Sequence, residues 1–112
     1  MTIQTPQDLV AILDELFPGF RDEWDEDEAY GYSVDYTFHA VFTELAPVCA
    51  RFLAEASPHT LKSFCILIDE FVSSGGKKEN AVSTCLLEHA SHVGIAKTLK
   101  PYLSQAAKSE LR

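Results

Sequence analysis

Two residue pairs in the C-terminal half have the spacing of metal ligands. Cys85 and His89, and Glu88 and His92, are each four residues apart, which on a helix brings two side chains to one face. Thiolate, imidazole and carboxylate are all donors for a divalent ion. A metal site normally takes three or four ligands, however, and Cys85 falls on the apolar side of its segment while Glu88 points elsewhere. His89 and His92 instead fall in the last turns of an expected helix, where imidazoles complement the negative end of the macrodipole. Of the other histidines, His39 follows the core-type Phe38 and His59 follows Pro58, both with solvated patterns. No metal and no cofactor is expected.

Nucleophilic chemistry has little support either. Cys49, Cys65 and Cys85 all lie within apolar stripes, and burial without a neighbouring cation raises a thiol's pKa and leaves it inert. Their odd number and the lack of a CxxC pair point to reduced core thiols. Gly75-Gly76-Lys77-Lys78 lacks both the spacing and the preceding strand of a phosphate-binding loop. Asp69 and Glu70 are adjacent, so on a helix they point about 100° apart, unsuited to joint acid–base work. The protein is not expected to be an enzyme.

The distinctive feature is charge. The 112 residues carry a formal charge of −8, and it is unevenly spread. Residues 1–56 hold twelve acids against Arg21 and Arg51, a balance of −10, whereas residues 57–112 come to +2. Half of those twelve acids, Asp22, Glu23, Asp25, Glu26, Asp27 and Glu28, surround a single tryptophan, Trp24. Such a field repels nucleic acid and anionic membrane and attracts a basic partner. Aromatic anchors among the acids, Trp24 with Tyr30 and Tyr32 close behind, add what a protein-docking surface needs: rings for affinity, charge for steering. A like-charged run is also what a merely solvated connection looks like, so the reading rests on the aromatic residues.

The elements that would position these groups are helical. Thr5-Pro6 with Asp8 is a capped helix start, followed by Leu9, Ile12, Leu13 and Leu16 at helical spacing, and Pro18-Gly19 ends the run. Residues 20–32 form an acidic connection. A second helix is expected from about Ser33 through Leu53, with a kink or break at Pro47. Ser57-Pro58 opens a third, whose apolar residues run from Leu61 to Val72 and, with Ile66 and Leu67, extend nearly all round, marking it as the buried centre. Ser73-Ser74-Gly75-Gly76 ends it. A fourth is expected over about Lys78–Val93, with Asn80 in its first turn, and Pro101 opens the last. Tyr30 to Tyr36 comes nearest to strand alternation. The expected fold is all-α, a single-domain bundle of five to six antiparallel helices, with solenoid-like helical hairpins at about 34–74 and 78–111. No segment has the roughly 20 apolar residues of a membrane span. Met1 to Phe17 carries no Lys or Arg, opposite to a secretory leader, so a cytosolic protein is expected.

Three stretches, 64–71 (FCILIDEF), 79–88 (ENAVSTCLLE) and 99–103 (LKPYL), resemble a group of small all-helical bacterial immunity proteins. The resemblance covers about residues 38–111. It implies a protein that neutralises a polymorphic or contact-dependent toxin by binding it, with no catalytic residues of its own. The acidic segment lies outside that stretch; its charge suits a basic toxin. The expected function is therefore a cytosolic antidote that occludes a cognate toxin through an acidic surface comprising Asp22, Glu23, Trp24, Asp25, Glu26, Asp27, Glu28, Tyr30 and Tyr32. The alternatives are a helical adaptor for a basic host protein and, behind it, a metal enzyme built on Cys85, Glu88, His89 and His92.

Overall fold

A computed structural model describes residues 3–23 and 37–111. Helix α1 (Pro6–Leu16) begins on the expected capping box: Thr5 Oγ1 accepts the Asp8 N–H at 3.1 Å, and the Asp8 carboxylate accepts the Thr5 N–H at 3.2 Å. The N–H groups of Gln4 and Thr5 together hold the Asp8 carboxyl below its ordinary range. Leu9, Val10 and Leu13 face the core. Gly19, at φ +100°, makes the turn after Pro18 that a side chain would strain, and the single-turn helix α2 (Phe20–Glu23) follows.

Thr37 caps helix α3 (Phe38–Glu55), its hydroxyl accepting the Ala40 N–H at 3.1 Å. The helix start expected at Ser33, like the alternation at Tyr30–Tyr36, falls outside the described residues. The break expected at Pro47 does not occur. Pro47 and Thr43, the residue whose carbonyl loses its donor, are both exposed, so the unpaired oxygen lies on the watered side of the helix and α3 continues. Ser57 then caps helix α4 (Pro58–Ser74) through the Thr60 N–H at 3.1 Å. Gly75, at φ +66°, ends α4 and starts helix α5 (Gly76–Cys85) within one residue.

Beyond Cys85 the structure departs from the expected helix to Val93. A 3₁₀ turn (Leu87–His89) and further turns lead to Ile95. Leu86, Leu87, Ala90 and Ile95 are all fully buried, so the chain stays on the core although the α-helix has ended. Pro101 likewise sits in a 3₁₀ turn (Lys100–Tyr102), flanked by the single-turn helices α6 (Ala96–Leu99) and α7 (Gln105–Lys108).

The packing is all-α, with no strand among the described residues. Helix α5 lies against both α3 and α4, α1 touches the same two helices, and α7 and the Lys100–Tyr102 turn lie on α4. One continuous core results, in which aromatic side chains join α3 to α4: Phe38 and Phe42 both meet Phe71 edge to face, at 5.3 and 5.5 Å between ring centres. Lys78 on α5 closes this cluster. Its ammonium donates to the Ile3 carbonyl and sits 5.4 Å from the Phe71 ring and 5.9 Å from the Phe38 ring, tying the N-terminal residues to the bundle. Phe64, Ile68 and Phe71 are buried as expected of α4, but Ile66 is not: it is 58% exposed. The apolar surface of α4 therefore stops short of a full ring.

Candidate functional site

The acidic docking surface expected at 22–32 is described at its entry only. Asp22 is exposed on α2, and Glu23 is the last residue of that helix. Trp24, Asp25, Glu26, Asp27, Glu28, Tyr30 and Tyr32 lie outside the described residues. The entry is nevertheless built firmly. Phe20, which the sequence pattern leaves in the polar connection, is fully buried. Its N–H donates to the Phe17 carbonyl at 2.9 Å, the Asp22 N–H to Gly19 at 3.0 Å, and the Arg21 N–H to the Asp14 carboxylate at 3.0 Å. Thr37 fixes the other end through its cap on α3. The described residues on either side of the acidic stretch are thus held at Phe20–Glu23 and at the Thr37 cap.

Beside the entry lies a feature that periodicity alone does not reveal. The end of α1 and the α3–α4 corner leave a cleft of ≈ 320 Å³ lined by Leu16, Phe17, Pro18, Phe52, Glu55, Ala56, Ser57 and Thr60. Its floor is aromatic: Phe17 stacks on Phe52 at 5.4 Å and meets Phe64 edge to face at 5.0 Å. The Arg51 guanidinium covers the Phe52 ring at 5.2 Å. Glu55 supplies a carboxylate among the lining residues, and Phe17 and Pro18 lead directly into the turn that carries α2. The sequence signal was present in the 17–20 stretch (FPGF): two phenylalanines three apart across a Pro-Gly turn are what an anchored corner needs, not a solvated linker.

The other chemical candidates disperse. With α5 ending at Cys85, the pairs Cys85/His89 and Glu88/His92 no longer share one α-helix, and the helix end expected to draw His89 and His92 lies upstream of both. Glu88, His89 and His92 are exposed and Cys85 is half-buried. Among the described residues no group of three or more His, Cys, Asp or Glu side chains is placed to hold a metal. Burial pushes the thiols of Cys49 and Cys65 up to about 12, helped by each other's proximity at Cys49 and by Asp69 at Cys65. Such thiols are poor nucleophiles. Asn80 falls in the second turn of α5, not the first, and accepts from the Thr84 hydroxyl at 2.9 Å within the helix, so it caps nothing. Asp69 has a structural partner, accepting the Ser104 N–H at 3.0 Å and fixing the C-terminal arm to α4.

Residues 10–112 match a family described as a domain of unknown function, DUF7674. The chain belongs to the DUF7674 family. The matched span begins within α1, so the acidic segment and the cleft are both inside the DUF7674 unit, not appended to it. No curated protein and no solved structure matches the chain. Among the described residues of this DUF7674 protein, no helix is long and apolar enough to cross a membrane.

Proposed function

We propose that this DUF7674 protein is a cytosolic immunity protein that binds a cognate bacterial toxin and covers its active site. The observation that carries the reading is the charge partition, a balance of −10 on residues 1–56 with six acids around Trp24. Two features of the body support it. The first two acids of the stretch, Asp22 and Glu23, sit on α2 beside the buried Phe20. The apolar cleft beside this helix, with Glu55 in its lining, offers a seat for an aliphatic or basic side chain of the partner. The partner is a protein with a basic surface, such as a nuclease whose own site expects phosphate; neither nucleic acid nor membrane is a partner. The protein acts by stoichiometric occlusion, without catalysis or a cofactor.

Co-expression tests this directly. The gene adjacent to that of this protein is expressed with and without it, and growth and co-purification are measured. A toxic neighbour whose toxicity is relieved, and which co-purifies one to one, is the expected result. A harmless neighbour that does not bind removes the immunity reading and leaves a docking module for some other basic protein.

A further inference from the structure

The exposed face of α4 carries an arrangement that the proposed toxin contact does not use. Ile66 stands at the centre of this helix, eight residues from Pro58 and eight from Ser74, and is 58% exposed. Lys62 lies four residues before it and Glu70 four after, both exposed, so the three form one i, i±4 row along the solvent side. That row is the ridge used in the commonest class of helix crossing. Neither the Lys62 ammonium nor the Glu70 carboxylate has an ion-pair partner among the described residues. The other exposed large hydrophobic side chain among the described residues, Tyr102, comes from the turn that packs on this same helix.

We propose that this face binds a second copy of the chain, with two α4 helices packed antiparallel about a two-fold axis at Ile66. The charges choose both the partner and the direction. A two-fold contact is self-complementary, so each residue meets its counterpart in the other copy. In an antiparallel pair Ile66 meets Ile66, and each Lys62, about 6 Å along the axis from the centre, meets the other copy's Glu70. A parallel pair would set lysine on lysine and glutamate on glutamate. Lys62 and Glu70 cancel, so the ridge is neutral and two copies of a −8 chain meet here without local repulsion. A basic toxin finds no complementary field on the same ridge, which keeps this contact apart from the acidic N-terminal half.

Sedimentation analysis of the full chain over a concentration series tests the pairing. The expected result is a monomer–dimer equilibrium resolved by high micromolar concentration. Ile66→Glu brings two carboxylates together at the axis and should leave a monomer whose melting temperature matches wild type, since the side chain is exposed. Lys62→Glu and Glu70→Lys should each weaken the dimer at least tenfold, and an equimolar mixture of the two variants should recover it, because every pair across the axis is then again of opposite sign. A wild-type chain that stays monomeric throughout overturns the proposal. So does a dimer indifferent to Ile66→Glu, or a mixture no tighter than its components. These outcomes are independent of toxin binding, which is read from a different surface.

Discussion

Replacing Phe64 by alanine probes the aromatic corner on which both the core and the cleft depend. Phe64 is fully buried on α4 and meets Phe17 edge to face at 5.0 Å, while Phe17 in turn stacks on Phe52. Truncating a buried phenylalanine costs about 3–5 kcal/mol through lost transfer energy and the cavity left behind. Small domains have roughly 5–15 kcal/mol in total, so this is a large share. With an unfolding entropy of about 2.1 cal/mol/K per residue, the melting temperature should fall by about 13–21 °C. The edge-to-face geometry predicts a further signature. Phe17→Leu and Phe64→Leu should couple by about 0.5–1.5 kcal/mol in a double-mutant cycle, the part of the contact that area burial does not explain. Thermal and urea denaturation followed by circular dichroism measure both quantities. A Phe64→Ala melting temperature within a few degrees of wild type, or strictly additive leucine variants, would refute the packing described for this corner.

Three further outcomes follow from single contacts. Lys78→Met keeps the aliphatic stem but loses the Ile3 carbonyl and the two ring contacts; stability should fall by about 1–3 kcal/mol, and hydrogen exchange should speed up in the amides of the N-terminal residues. The Asp8 carboxyl has a folded-state pKa depressed below its ordinary 3.8, so its contribution is present above that value and is lost as pH falls through the folded one; wild type should therefore lose stability on acidification below about pH 4 more steeply than Asp8→Asn in matched melts. A thiol reagent applied to native protein near neutral pH should label Cys85 alone, because Cys49 and Cys65 are buried and titrate only at about 12; mass spectrometry showing label on either of the buried thiols would contradict the core as described.

The helices were most legible where punctuation and periodicity agree. Thr5-Pro6 with Asp8 and Ser57-Pro58 mark two helix starts to the residue, because a side-chain cap followed by proline satisfies the same orphan donors in sequence as in space. Legibility failed where tertiary burial outweighs local pattern. Leu86 and Leu87 extend the apparent period of α5, and both are buried, yet the helix stops at Cys85 and the chain continues through a 3₁₀ turn. Ile66 looks like core by type and is exposed by position, since nothing in a run such as 64–68 (FCILI) says which side chain of the five the rest of the fold will leave uncovered. At Pro47 the helix runs on without the break that was one of the two expected outcomes, because the cost of a proline depends on whether the orphaned carbonyl faces water, which periodicity can suggest only after the buried face is fixed. At the candidate site, composition exposes the acidic run and its tryptophan, and the 17–20 stretch (FPGF) carries a local trace of the anchored corner, but the cleft floored by Phe17 and Phe52 joins residues more than thirty apart and leaves none.

The most direct test of acidic docking is the salt dependence of association with the product of the adjacent gene. Neutralising Asp25, Glu26, Asp27 and Glu28 together as amides removes four charges from the strongest field on the chain. The association rate should drop about tenfold or more, with stability nearly unchanged, and the wild-type rate should itself fall steeply as salt rises. Trp24→Ala should act instead on the dissociation rate, as the loss of an anchor does. Association that is insensitive to salt and equal in wild type and the tetra-amide variant would contradict the acidic-docking account.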